Sequence, residues 1–123
     1  DNLGCGKAVS SAITWFFEQA EEGIILEDDC LPHPSFFRYC ETMLNRYRNE
    51  DRVMLISGDN FQDGITRGDG SYYFSRYAHI WGWATWKRVW KLYDFTIKKW
   101  PEFKQSQLLE ICNNDVVQQN YWI

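Results

Sequence analysis

The chain has 123 residues, of which 45% are apolar and 18% aromatic, so it is too apolar for a disordered segment and too short for more than one domain. Its net charge is −4 at neutral pH and no long basic stripe is present, which disfavours nucleic-acid binding. No apolar run approaches the roughly 20 residues of a membrane-spanning helix, so we expect no membrane span.

The two ends of the chain suggest a piece of something larger. The first residue is Asp1 rather than Met, and the last residues, 116–123, stop without a polar tail. We therefore expect residues 1–123 to be the central part of a single domain, with N-terminal strands and a C-terminal part missing. Nothing in the sequence indicates an oligomeric state.

The four cysteines are Cys5, Cys30, Cys40 and Cys112. They form no Cys-x-x-Cys pair and have no paired histidine spacing, which argues against a zinc site and against a dense disulfide framework. We expect free, buried thiols.

The first predicted elements are a helix and a strand. From Lys7 to Ala20 apolar residues recur at helical spacing, and Gly23 is expected to stop this helix. Ile24 to Glu27 reads as a short strand buried on both faces, as in a parallel sheet.

A second helix and strand follow. Pro34 or Ser35 can open the helix, and the apolar run 52–57 reads as a second buried strand. The order helix, strand, helix, strand predicts an α/β layer architecture.

The second half is richer in turns and aromatic residues. Residues 63–70 read as a loop, and Ser71 to Ser75 as a strand. Ala84 to Tyr93 is predicted to be helical, and Leu108 to Cys112 and Val116 to Tyr121 are weaker helical candidates.

Three consecutive acids follow the first predicted strand. Side chains two apart in an extended segment point the same way, so Glu27 and Asp29 are expected to face one site and Asp28 the other side. In open α/β sheets ligands bind beyond the carboxyl ends of strands, where carboxylates can hold Mg²⁺ or Mn²⁺ together with phosphate oxygens. Alternatively, the three acids are a solvated turn or a helix cap.

Three blocks in this order resemble the nucleotide-diphospho-sugar transferases of the GT-A fold. They are "GIILEDDCLPHPSFFRYC" at 23–40, "LISGDN" at 55–60 and "YAHIWGWATWKRVW" at 77–90. The likeness covers roughly residues 2–93 and is greatest to the branch similar to N-acetylglucosaminyltransferase I and to bacterial hemolytic-protein-like sugar transferases. It implies an α/β fold of the Rossmann-like GT-A type, with a mixed, mostly parallel sheet.

In such enzymes the acids at the strand end form the "DxD" element. The resemblance implies that Asp29 binds Mn²⁺ or Mg²⁺, which carries the diphosphate of the donor. It implies that Asp28 contacts the nucleotide ribose or the donor sugar, and that Glu27 orients the site.

The two later blocks are implied to bind substrate. Residues 57–60, with Asp59 and Asn60, would lie beside the donor sugar, and 79–86 would form an aromatic wall where donor and acceptor sugars meet. Asp59 is also a candidate catalytic acid, although "GDN" can equally be a turn.

The aromatic wall also has independent chemical support. Sugar rings present apolar C–H faces, against which Trp81 and Trp83 offer stacking area and an N–H donor, and Gly82 allows close approach of the backbone. His79 either packs or contacts substrate. The alternative is a buried helical stripe at spacing i, i+3, i+7, formed by Trp83, Trp86 and Trp90.

The implied function is metal-dependent transfer of a sugar from a nucleoside-diphosphate donor, a UDP-sugar by preference, to a hydroxyl of a glycan or glycolipid acceptor. The implied setting is bacterial surface-polysaccharide assembly, in the cytoplasm or at the membrane periphery. Inverting members use a carboxylate base after the aromatic block. We expect that base outside this fragment, and the late acid Asp115 is not assigned the role.

Two other functions compete with this one. A receiver-like Mg²⁺-dependent phosphotransfer domain would use Asp59 as phosphoacceptor, but the aromatic block and the 63–70 loop fit it badly. A non-catalytic carbohydrate-binding or interaction module would use the Trp-rich face, and its sugar binding would not depend on metal.

Overall fold

The structure is a computed structural model that describes residues 2–112 and 114–121. The chain divides into two compact units, the first ending at Tyr93 and the second beginning at Asp94. The elements of the first unit are α1 (Cys5–Gln19), β1 (Glu22–Ile25), α2 (Ser35–Tyr47), β2 (Ile56–Ser57), β3 (Trp83–Trp86) and α3 (Lys87–Trp90). Those of the second are α4 (Trp100–Ser106), α5 (Leu108–Ile111) and α6 (Val116–Tyr121).

The three strands form one sheet in the order β1-β3-β2, with β3 antiparallel to both neighbours. The outer strands β1 and β2 therefore run in the same direction. Every strand pair within the described ranges is antiparallel, so the parallel pairing expected for Ile24–Glu27 is not found there. The strand itself lies earlier than predicted and ends at Ile25.

The helices α1 and α2 cover opposite faces of the sheet. Gly23 pairs with Thr85, and a Cβ atom at Gly23 would meet the ring of Phe16 in α1. The next pair, Ile24 with Ala84, faces the other way and joins the core packed by α2. The first unit is thus a helix–sheet–helix sandwich, and among the described residues its antiparallel sheet differs from the mostly parallel sheet that the resemblance implies.

The main core lies between α2 and the sheet. One face of α2 supplies residues at i, i+4, i+7 and i+8, and the sheet supplies three more; the set is Phe36, Cys40, Met43, Leu44, Ile56, Ala84 and Trp86. The indole of Trp86 is 2% exposed, and its Nε1–H donates to the carbonyl oxygen of Leu44 at 3.3 Å. Trp86 is therefore a core residue with its polar atom satisfied.

Three local predictions in this unit were wrong. The segment Ala84–Tyr93 is not one helix but strand β3 followed by the single-turn helix α3. The segment Ser71–Ser75 forms no strand; the Tyr72 hydroxyl instead lies 2.6 Å from that of Tyr47 on α2. Helix α1 ends before Gly23, because Ala20 already has extended backbone angles and Gly23 belongs to β1.

The second unit is helical over much of its length. The predicted helices at 108–112 and 116–121 are confirmed as α5 and α6. Asp115 caps α6, since its Oδ1 accepts the backbone N–H groups of Val117 at 2.8 Å and Gln118 at 3.2 Å.

All four cysteines are free, as predicted, but their burial differs. Cys40 and Cys112 are buried, Cys30 is half-buried and Cys5 is exposed. Burial raises the pKa of the Cys40 thiol to about 11, so it stays protonated as a small apolar core residue.

Candidate functional site

The three acids lie on an exposed turn after β1. The backbone N–H of Cys30 donates to the carbonyl oxygen of Glu27 at 3.2 Å and closes this turn over Asp28 and Asp29. The expected alternation of side chains does not apply, because Asp28 and Asp29 are in a turn rather than an extended strand. None of the three carboxylates makes a hydrogen bond or an ion pair with another described residue, so all are available to a ligand.

The register of the sheet brings the predicted site segments to one end. Ile25 and Ser57 both pair with Trp83. The residues that follow β1, those that follow β2 and those that precede the antiparallel β3 therefore lie at the same end of the sheet. This end carries the three acids, the loop 58–60 and the loop 79–82.

Hydrogen bonds join the loop after β2 to the loop before β3. The Gly58 N–H donates to the carbonyl oxygen of Gly82 at 2.9 Å. Oδ2 of Asp59 accepts the Ser57 hydroxyl and the backbone N–H of Trp81, each at 3.2 Å. Asn60 is turned inward on its own loop, where its Oδ1 accepts the Gln62 N–H at 3.0 Å.

Gly82 allows the loops to approach each other closely. Its φ is +94°, a conformation that favours glycine, and a Cβ atom there would lie 3.4 Å from side-chain atoms of Leu26 and Phe36. Leu26 directly precedes the acids. A Cβ atom at Gly58 would also meet the Phe36 ring, so the three loops converge on this ring.

An aromatic shelf, formed by Phe61, His79 and Trp81, borders these loops. The Phe61 ring centroid lies 4.8 Å from that of His79 and 6.1 Å from that of Trp81, both edge to face. Trp81 is 69% exposed and Phe61 49%. Sequence reasoning missed Phe61; its one signal is an apolar side chain that directly follows the polar run "SGDN".

The other predicted aromatic residues are less accessible. Trp83 is half-buried on β3, and Trp86 is in the core. The helical stripe of three tryptophans is wrong, since Trp83 and Trp86 lie on a strand. The Nδ1 of His33 accepts the Ser35 N–H at the start of α2, 3.3 Å away.

A separate cavity of about 490 Å³ lies between α1 and α3. Its wall includes Trp90 and Tyr93, which stack at 4.3 Å, and the Trp90 Nε1–H donates to Oγ1 of Thr14 at 3.0 Å. None of the predicted site residues lines it, because it adjoins the carboxyl end of β3 and the candidate site adjoins the amino end.

The carboxylates are suited to a hard cation only in part. Within residues 2–112 and 114–121, no three Asp, Glu, His or Cys side chains converge as a complete set of metal ligands. Mg²⁺ commonly takes only one or two protein carboxylates and completes its shell with waters and substrate phosphates. The exposed, unpaired acids of the 27–29 turn fit that partial role.

Comparison of the chain with family models, with curated proteins and with solved structures finds no match. In the part of the chain that the structure describes, no helix combines the length and apolar character that crossing a bilayer requires.

Proposed function

We propose that this chain carries the donor-binding part of a metal-dependent glycosyltransferase of the GT-A type. The observation that supports it most is the convergence of three loops at one end of the sheet. Free carboxylates come from the turn after β1, Asp59 from the loop after β2, and Trp81 from the loop before β3. Carboxylates that can hold a divalent cation for the diphosphate, at the same end of the sheet as an exposed aromatic ring for the sugar, suit a nucleoside-diphosphate sugar.

In this proposal Asp29 holds Mn²⁺ or Mg²⁺, Asp28 contacts the nucleotide ribose or the donor sugar, and Glu27 orients the site. Both metals prefer oxygen ligands, which the carboxylates supply without first having to break a bond to another described residue. When bound, the ion would neutralise the negative charge of the leaving nucleoside diphosphate.

The other residues of the site would bind and orient the sugar. Asp59 and Asn60 lie in the loop next to the aromatic shelf. Gly82, which has no side chain, allows the neighbouring backbone to approach closely beside the shelf. The exposed indole of Trp81 offers a flat apolar surface to the C–H face of a sugar ring. The resemblance supports a UDP-sugar donor, a glycan or glycolipid acceptor, and a bacterial protein in the cytoplasm or at the membrane periphery.

The test is calorimetric titration of the chain with UDP, in the presence and absence of Mn²⁺. We expect binding that requires Mn²⁺ and that weakens about tenfold or more in Asp29→Ala, or ~1.4 kcal/mol of binding free energy. The matched control is Asp69→Ala, which removes an exposed acid from the 63–70 loop and should bind UDP like the parent chain.

Two results would overturn the proposal. One is that neither UDP nor GDP, CDP or dTDP binds more tightly with Mn²⁺ than without it. The other is that Asp29→Ala and Asp69→Ala bind UDP equally well, since the acids after β1 would then be a solvated turn.

The second candidate is a carbohydrate-binding module without catalysis. It is favoured by the exposed rings of Phe61 and Trp81 and by the lack of three convergent metal ligands among the described residues. It predicts sugar binding that survives a chelator and Asp29→Ala but is lost in Trp81→Ala. The receiver-like alternative is less favoured, because the Asp59 carboxylate already accepts two hydrogen bonds.

A further inference from the structure

Asp59 joins two loops through a single carboxylate oxygen. Its Oδ2 accepts the hydroxyl of Ser57 and the backbone N–H of Trp81, each at 3.2 Å. The bonds to Ser57 are reciprocal, since the Asp59 N–H donates to the same hydroxyl oxygen at 3.1 Å. The Asp59 carboxylate is thus held within its own loop by Ser57, independently of its hydrogen bond to Trp81.

The bond to Trp81 acts where the loop has little other support. Trp81 is 69% exposed, and its ring lies edge to face with that of Phe61, which is itself 49% exposed. Burial therefore does little to hold the ring in one direction. The backbone is fixed instead at Trp81, by Asp59, and at the next residue, by the Gly58–Gly82 hydrogen bond.

We infer that Asp59 is a positioning residue, which holds Trp81 in the aromatic shelf so that the shelf can stack on a sugar ring. The sugar as ligand rests on the proposed function, whereas the hold on Trp81 does not. Phe61 and His79 complete the shelf, and its flat, partly exposed rings match the apolar C–H face of a sugar.

This role differs from that of a general base in one testable respect. A base needs the proton affinity of a carboxylate, whereas a hydrogen-bond acceptor for Ser57 and Trp81 needs only an oxygen. The amide oxygen of asparagine can accept the same two bonds. Asp59→Asn should therefore preserve positioning, and Asp59→Ala should lose it.

The first readout needs no ligand. The chain is labelled with 5-fluorotryptophan, and the ¹⁹F resonance of Trp81 is assigned from its loss in Trp81→Phe. We expect this resonance to shift and broaden in Asp59→Ala, to stay near the parent position in Asp59→Asn, and to be unchanged in the control Asp69→Ala. An unmoved resonance in Asp59→Ala, or equal shifts in Asp59→Ala and Asp59→Asn, would overturn the positioning role.

The second readout is the affinity for UDP-glucose, UDP-galactose and UDP-N-acetylglucosamine, each compared with UDP in the presence of Mn²⁺. We expect Asp59→Ala to lose about tenfold of the affinity for the preferred sugar nucleotide and little of that for UDP, and Asp59→Asn to bind like the parent. Phe61→Leu, which leaves Asp59 intact, should lose affinity for the same sugar nucleotide.

The two readouts separate the two proposals. If UDP binding needs no metal while the ¹⁹F result is as expected, the proposed transferase function fails and the positioning role stands. If all three sugar nucleotides bind no better than UDP in the parent chain, stacking on a sugar is overturned. If Asp59→Asn loses sugar-nucleotide affinity as fully as Asp59→Ala, the positioning role is overturned.

Discussion

Arg88 lies in α3, directly after strand β3, and connects this part of the chain to the end of α2. Its Nε donates to the carbonyl oxygen of Arg48 at 3.0 Å, and its Nη2 lies 3.0 to 3.1 Å from those of Tyr47, Glu50 and Val53. Its guanidinium also lies 4.5 Å from the ring centroid of Trp86. The carbonyl groups of Tyr47 and Arg48 at the end of α2 lack partners within the helix, and the same planar cation also reaches the carbonyl groups of Glu50 and Val53 beyond it.

Replacing Arg88 by Met should therefore destabilise the first unit. We expect the free energy of unfolding to fall by ~3 kcal/mol, since carbonyl groups lose a charged donor while the apolar stem is kept. The measurement is urea denaturation followed by circular dichroism. Arg52→Met is the control: Arg52 pairs with Glu50 at an exposed position, so its replacement should lower the free energy of unfolding far less. Equal losses in the two variants would contradict this role of Arg88.

Asp94 organises the turn that opens the second unit. Its carboxylate accepts the Thr96 hydroxyl at 2.6 Å and the backbone N–H groups of Thr96 and Lys98, each at 2.9 Å. These bonds, the Thr96 hydroxyl foremost, lower the pKa of the Asp94 carboxyl from its ordinary 3.8 to about 2. The stabilisation is full above the ordinary pKa and is lost as the pH falls through about 2.

The Asp94 carboxyl pKa can be measured directly by NMR titration. We expect a value near 2 in the parent chain, a value closer to the ordinary one in Thr96→Ala, and little change in Thr96→Ser, which keeps the hydroxyl. A normal pKa in the parent chain would show that the turn is open in solution.

At the scale of elements, α2 could be predicted from the sequence and β3 could not. The apolar residues of α2 recur over several turns on one face, which no strand would produce. The tryptophans at 83, 86 and 90 gave the same helical signal by coincidence, because the third belongs to the next element. Ala84 and Trp86 face the α2 core, and Thr85 is buried on the other side. A strand covered on both faces carries no polar–apolar alternation by which sequence could reveal it.

The central position of β3 predicts the pattern of hydrogen exchange. Its backbone bonds to both β1 and β2, and Thr85 adds a side-chain bond to the carbonyl oxygen of Met54 at 2.7 Å. Amides of β3 should therefore exchange more slowly than those of β1 and β2 when followed by NMR in deuterated buffer. Amides of the 63–70 loop serve as the reference for fast exchange, and β3 amides that exchange as fast would contradict this topology.

At the scale of the whole molecule, the sequence predicted the segments of the candidate site but not how they meet. The acids at 27–29 were singled out because they follow an apolar run, and the loop at 57–60 was assigned to the site through the resemblance. The meeting of Asp59 with Trp81 depends on β3 running antiparallel to both neighbours, and the pattern within one strand does not show which distant strand it pairs with or in which direction. The approach of Phe61 to His79 also requires the intervening chain to return to the site, which no periodicity indicates.

The order of the strands in the sheet has a consequence for how the chain folds. β1 and β2 are made first, yet among the described residues each pairs only with β3, which lies far downstream. Closing such long loops is entropically costly and slows folding. During synthesis, the edges of β1 and β2 therefore stay unpaired until β3 has been made. The loops of the candidate site would come together in the same late step that completes the sheet.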